Sequence, residues 1–275
     1  MLLEKIKYSI NKKIGKYINY LASISYVTKN KAFKKIILKN RSLTKESNYL
    51  DHETYNPGDY GVNPTIARAM HLNLSNLPTY TDLICYLTSK VWKNRLSYLE
   101  IGTSLMKNVH QVSNHIMDSS ILCIDIESPP MIFSKVSNNK NKNSVDYFTA
   151  DIFDNKKISD YFKNRENLKF DFIFSDAAHT YEGLIQEYYT IYKNKLNENF
   201  IIYFDDLDFP RLEDAFIEIY KDLLSVKNNL HCFTFEINGW VGINEKRHKN
   251  GIITNIDLPV LFESDNIYLK NYSKI

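Results

Sequence analysis

Acidic residues recur at the ends of apolar segments in this chain of 275 residues. LEIG (99–102) carries Glu100 and ILCIDI (121–126) carries Asp125. VDYFTAD (145–151) ends in Asp151, FDFIFSD (170–176) in Asp176, and FIIYFDD (200–206) in Asp205 and Asp206. Taken singly, each acid is what a turn or a helix N-cap uses. Five segments in step call for more. Like charges gathered along one edge of a sheet repel and cost stability, so the set makes sense where it binds cations or hydroxyl groups. His179 follows Asp176 by three residues within SDAAHTYEG (175–183). That is about one helical turn, so the imidazole can face the same cleft, and it is a base in the neutral range.

The segments that carry the acids read as buried strands, short apolar runs bounded by turn signals. Helical patterns lie between them. One runs through Val109, Val112 and Ile116, and a short one opens after Pro129 and Pro130. TYEGLIQEYYTIYKNKL (180–196) puts Leu184, Ile185, Tyr188 and Ile191 on one face, and FPRLEDAFIEIYKDLL (209–224) has Pro210 near its first turn. This alternation predicts βαβ units with right-handed crossovers. LHCFTFE (230–236) and GWVGIN (239–244), separated by Ile237 and Asn238, predict an antiparallel hairpin. The expected fold is therefore α/β, a Rossmann-like sheet of seven mostly parallel strands with an antiparallel C-terminal hairpin. Residues 251–275 fit no single pattern. Ligands of such sheets bind outside the carboxyl ends of the strands, where the acids stand.

Composition narrows the class. The chain is 44% apolar and 13% aromatic, enough for a sizeable core. No apolar run reaches membrane-span length, and MLLEKIKYSINKK lacks the apolar core of a signal peptide. Cys85, Cys123 and Cys232 are odd in number and far apart, which argues for a reducing, cytoplasmic setting. No CxxC or HxxxH spacing suggests zinc. The net charge of +3 hides an asymmetry, because residues 1–50 carry twelve Lys and Arg against Glu4 and Glu46. Leu2, Leu3, Ile6, Ile10, Ile14, Ile18 and Leu21 form one helical stripe there, and Phe33, Ile36, Ile37 and Leu38 a second apolar cluster. Two readings stay open for this arm. It docks as helices with a solvated basic face, or residues 1–45 make peripheral contact with an anionic membrane face.

The order of acids resembles that of class I S-adenosylmethionine-dependent methyltransferases over roughly residues 95–245. LEIGTS (99–104) is similar to their first motif, although Ser104 stands where a second glycine is usual. The resemblance implies cofactor contacts from Glu100, Gly102, Thr103 and Ser104, with Asp125 on the ribose hydroxyls and Asp151 on the adenine amino group. SDAAHTYEG followed by FDD (204–206) resembles the metal-dependent, macrocin-type sugar O-methyltransferases. Ser175 and Ala177 depart mildly from that pattern. What it implies is a Mg²⁺ or Mn²⁺ ion on Asp176, Asp205 and Asp206, with His179 as general base. Such an ion takes oxygen ligands and keeps positions open for two acceptor hydroxyls. Methyl transfer is then mainly a matter of in-line alignment.

Rival classes lack their marks. No GxGxxG follows the first strand, as a nicotinamide enzyme would need, and no GxxxxGK[ST] suggests a P-loop. SDAAH stands where an amino-methylating DNA enzyme would carry its Pro-Pro-aromatic motif, so no nucleic-acid partner is expected. A non-catalytic methyltransferase-like binding or scaffold module remains the alternative. The expected organisation is a basic arm (1–50), a lid or connecting segment (51–94) and a catalytic domain (95–275). His52, Tyr55, Tyr60 and His71 in the lid are candidate sugar contacts. A small-molecule or sugar acceptor and a homo-oligomer complete the expectations.

Overall fold

The computed structural model describes residues 30–47, 78–239 and 247–275. Five strands are parallel: β1 (Ser97–Ile101), β2 (Ser120–Asp125), β3 (Ser144–Thr149), β4 (Phe170–Ser175) and β5 (Leu196–Phe204). Three more run antiparallel to their neighbours: β6 (His231–Asn238), β7 (Arg247–Thr254) and β8 (Lys270–Lys274). The sheet order is β3-β2-β1-β4-β5-β7-β6-β8. The chain reverses its winding direction between β1 and β4, the position at which open α/β sheets bind ligands.

Helices cover both faces. On one side lie α1 (Lys31–Ser47), α2 (Tyr80–Val91), α3 (Lys107–Ser113), α4 (Phe133–Ser137) and α8 (Leu258–Ser264). On the other lie α5 (Asn155–Lys163), α6 (Tyr181–Glu187) and α7 (Leu212–Leu224). The strand residues alternate between the two cores. Tyr98, Phe172, Phe174, Ile201 and Tyr203 enter the first, while Leu99, Ile101, Ile173, Ile202 and Phe204 enter the second. Burial on both faces is why these strands read as unbroken apolar runs.

The structure corrects three expectations. Among the described residues the sheet has eight strands, because β8 adds to the edge of β6. The hairpin exists, but β6 continues through Ile237 and Asn238 and its partner is β7. Ile237 is buried and Asn238 Nδ2 donates to the Pro78 carbonyl, so both are held as strand residues. Of GWVGIN only Gly239 is among the described residues. Finally, the helix expected over 180–196 is shorter. α6 passes into a π-helical turn, Tyr188–Tyr192, and Leu196 already pairs with Phe170 as the start of β5.

The second half of the basic arm is docked. Phe33, Ile36 and Ile37 of α1 are buried against the first core, and the Phe33 ring lies 5.2 Å from that of Tyr86 on α2. Full burial of such side chains is worth roughly 1.5–3 kcal/mol each. Arg41 grips the wholly buried Asp82 with two bonds, at 2.7 and 3.0 Å, and Asn40 adds a third at 2.9 Å. The stripe from Leu2 to Leu21 and the lid candidates His52, Tyr55, Tyr60 and His71 lie outside the described residues. Among the described residues no helix is long and apolar enough to cross a membrane. Cys85, Cys123 and Cys232 are free and buried.

Candidate active site at the carboxyl ends of the strands

Strand register aligns the acids. Ile101 pairs with Ile124 and Ser175, and Ser175 pairs with Phe204. The residues that follow form the next row. Gly102 N–H donates to Ile124, Asp176 N–H to Ile101, and Asp205 N–H to Ser175. Asp125, Gly102, Asp176 and Asp205 therefore stand side by side along one rim.

The loop after β1 is built for close approach. Gly102 has φ +81°, and a β-carbon there would fall 2.2 Å from the Asp176 carbonyl oxygen. Ser104 and Met106 are also left-handed, at φ 46° and 56°. The loop folds onto Asp125. Ser104 N–H donates to its Oδ2 at 2.8 Å, the Thr103 hydroxyl approaches the same oxygen at 3.4 Å, and Glu127 N–H donates to Oδ1 at 2.9 Å. A carboxylate has about four acceptor positions, so Asp125 retains capacity for a hydroxyl donor. Ile126 and Phe153 leave exposed apolar side chains beside this rim. Asp151 is exposed on the same rim and accepts the Phe153 N–H; no bond joins it to the loop after β1. Glu100 is wholly buried and takes the Tyr98 hydroxyl at 2.5 Å, while its Oε1 has no hydrogen-bond partner. Burial pushes its carboxyl well above the usual range.

Asp206 is the centre of the second group. His179 Nε2 lies 3.1 Å from its Oδ2 and 3.5 Å from Asp176 Oδ1. His248 Nδ1 lies 2.5 Å from its Oδ1 and 3.6 Å from Asp205 Oδ1. Contacts with Asp176 and then Asp206 lift the His179 imidazole to about 10. Burial works to lower His248, but Asp205 and Asp206 outweigh it and lift that ring to about 10. Burial, reinforced by Asp205 and Asp206, raises Asp176 to about 8 against the pull of His179. Burial and the Asp206 charge also raise Asp205. Burial opposes ionisation of Asp206 as well, yet the two histidines hold it below the usual carboxylate range. The half-exposed Phe209 ring stacks on His179 at 4.8 Å.

Local structure explains how the loop 176–179 is held. Thr180 caps α6 by accepting the Gly183 N–H at 3.1 Å. A β-carbon on Gly183 would fall 2.3 Å from that of Ala178, so only glycine lets the loop fold against the first turn. Behind it, the buried Glu187 accepts the Ser175 hydroxyl at 2.6 Å and the Ala178 N–H at 3.4 Å.

Three contributors were missed by reading the sequence: His248, Asn250 and Glu187. Asn250 Nδ2 donates to Asp205 Oδ1, and the Tyr203 hydroxyl donates to Asn250 Oδ1 at 2.7 Å. β7 begins Arg-His-Lys-Asn, with no apolar pattern to mark it as a strand. Glu187 reads as an ordinary polar helix residue. Asp176, His179, Asp205 and Asp206 come from the DxxH and DD motifs, with Asp176 and Asp205 in different groups of possible metal ligands.

The donor set fits a divalent cation. Asp176, His179 and Asp206 bring one ligand atom each within 4.8 Å of one another, and so do Asp205, Asp206 and His248. His248 Nδ1 is buried and makes no hydrogen bond, although it nearly touches Asp206. An imidazole nitrogen set against two carboxylates is a donor set that suits a divalent ion.

No protein-family model matches the chain, and no curated protein matches it. Solved structures do. The O-methyltransferase TomG from Streptomyces achromogenes, in complex with SAM, is 15% identical, with 74% of this chain and 98% of that one covered at a TM-score of 0.43. An O-methyltransferase from Bacillus cereus, in complex with SAH, is 13% identical, with 81% and 90% covered at 0.41. Spermidine synthase from Thermotoga maritima is 11% identical, with 69% and 62% covered at 0.42. Likeness at this level does not separate an O-methyltransferase from a spermidine synthase, and the chemistry rests on the residues of the site.

Proposed function

We propose that this chain is an S-adenosylmethionine-dependent, divalent-metal-dependent O-methyltransferase that acts on a hydroxyl of a sugar or glycosylated small molecule. One observation carries the reading. The glycine turn with its Asp125 partner and the Asp176–His179–Asp206 group share one rim and touch at Gly102. When bound, S-adenosylmethionine supplies an electrophilic methyl group and a divalent ion lowers the pKa of the hydroxyl it holds.

The chain's own residues do the remainder. Asp125 accepts a ribose hydroxyl with its spare capacity, and Ile126 and Phe153 cover a purine face. Asp151 takes the exocyclic amine. His179 Nε2 would receive the proton that the acceptor hydroxyl gives up. Asp176 and Asp206 then stabilise the imidazolium. They also hold His179 protonated while their charge is uncompensated, so the ring serves as a base only after these carboxylates are neutralised. Phe209, stacked on His179, offers an aromatic wall to a sugar ring.

The alternative, a non-catalytic binding module, draws support from Asp125, whose Oδ2 is already engaged by Ser104 and Thr103. A transfer assay with labelled S-adenosylmethionine over nucleotide sugars and glycans tests both. Transfer is expected, lost in chelator and restored by Mg²⁺ or Mn²⁺. His179→Ala should lower turnover by roughly 10²–10⁴ while cofactor affinity stays unchanged. Full transfer in chelator removes the metal from the reading, and near-normal turnover in His179→Ala removes the base. Absence of cofactor binding leaves the binding module.

A further inference from the structure

We infer that His248 is a nitrogen ligand of a cation held together with Asp205 and Asp206, and that the site therefore selects a first-row transition ion such as Mn²⁺ over Mg²⁺. This rests on the metal reading above and adds a residue that the sequence motifs do not contain.

The geometry sets His248 apart from His179. It comes from β7, the antiparallel strand beside β5, and meets Asp205 and Asp206, whereas His179 meets Asp176 and Asp206. Its Nδ1 faces Oδ1 of Asp206, whereas His179 Nε2 faces Oδ2. Nδ1 is buried and has no hydrogen bond, even though an oxygen lies at 2.5 Å. Asp205 Oδ1 lies 3.6 Å from the same nitrogen, so one imidazole nitrogen faces two carboxylates. Asp205, Asp206 and His248 each bring one ligand atom within 4.8 Å of the others. The far edge of the ring is fixed by packing. A β-carbon on Gly239 would fall 2.8 Å from Nε2, so glycine there leaves room for the imidazole.

The donor chemistry decides the ion. Mg²⁺ prefers an all-oxygen octahedron and parts with water reluctantly. Imidazole suits later divalent ions, and affinity rises from Mn²⁺ onward along the first row. One nitrogen beside carboxylates shifts the balance toward those ions, and His179, 39% exposed at its side chain, is left to handle a proton.

The test uses the full chain, purified free of metal, with Mn²⁺ and Mg²⁺ as probes. Wild-type protein should bind Mn²⁺ at least tenfold more tightly than Mg²⁺ in equilibrium dialysis. His248→Asn should lose that preference by weakening Mn²⁺ and sparing Mg²⁺. Because this variant could misfold, Gly239→Ala supplies a second perturbation that touches no carboxylate and should weaken Mn²⁺ in the same way. Electron spin-echo modulation of the Mn²⁺-loaded protein should show directly bonded ¹⁴N, retained in His179→Asn and lost in His248→Asn. Equal affinities, or nitrogen coupling that survives His248→Asn, overturn the assignment and leave the metal reading standing. Failure of wild-type protein to bind either ion overturns both.

Discussion

Gly102 and Asp176 are in backbone contact. The Gly102 N–H bonds to Ile124 on one side, and the position its β-carbon would occupy lies 2.2 Å from the Asp176 carbonyl on the other. The turn that would meet the cofactor and the strand end that opens the acid–histidine group are therefore adjoining parts of one rim.

Gly102→Ala should consequently damage both halves. It combines a left-handed φ with a clash against main chain, for a cost of roughly 2–4 kcal/mol. Chemical denaturation should register that loss. Calorimetry should show weaker binding of S-adenosylmethionine and of Mn²⁺ together. A variant as stable as wild type would mean that the turn relaxes freely.

Asp125→Ala should weaken S-adenosylmethionine by about 1–3 kcal/mol, or about 5- to 150-fold. Ser104 N–H and Glu127 N–H lose their acceptor at the same time, so part of the loss is loop order. Asp125→Asn keeps one acceptor oxygen and should fall between the two. Unchanged affinity in Asp125→Ala would take this residue out of the cofactor site.

Arg41→Ala should destabilise the protein by about 3–5 kcal/mol, since it leaves the Asp82 carboxylate buried without its cation. Urea unfolding measures the loss, and protease sensitivity of α1 should rise with it. A cost under about 1 kcal/mol would show that Asp82 simply takes up a proton. The same docking leaves Phe33, Ile36 and Ile37 no free face for membrane contact, whereas Leu38 of the same helix is exposed.

How much of this could be read from the sequence depended on burial. β1, β2, β4 and β5 are sealed on both faces, so their residues announce themselves as apolar runs, and the acids that end them fall into register automatically. His179 was placed by its spacing from Asp176. β7 carries the opposite signal. Its first half lines the polar rim with His248 and Asn250, so the segment has no apolar period and the hairpin was assigned to the more apolar GWVGIN instead. Asp151 shows the limit of the end-of-strand argument. It stands beyond the last β2–β3 pair, Asp125 with Thr149, and its side chain caps its own turn.

Glu187 makes a pH prediction. Burial raises its carboxyl from an ordinary value of 4.5 to about 7, with the Ser175 hydroxyl and Ala178 N–H pulling the other way. A raised acid contributes stability that is complete below pH 4.5 and is lost as pH rises through about 7. The amount is on the order of 3 kcal/mol. Wild-type stability, measured by denaturation across that window, should fall toward neutrality. Glu187→Gln keeps a neutral acceptor for Ser175 and should flatten the slope. An unchanged slope would assign the pH dependence elsewhere.

Asn250 donates to Asp205 from 45 residues further along the chain. At synthesis rates of roughly 5–20 residues per second, Asp205 emerges roughly 2–9 s before the amide that fixes it. All five parallel strands have been synthesised by then, and they pair with one another without β7. A chain whose parallel strands had paired in that interval would hold its acids at an open edge, with β5 lacking its β7 partner. Long-range pairing of this kind is the slow part of folding. Pairing of β7 with β5 therefore covers that edge and supplies His248 and Asn250 in a single event, so the centre is complete only once β5 has its antiparallel neighbour.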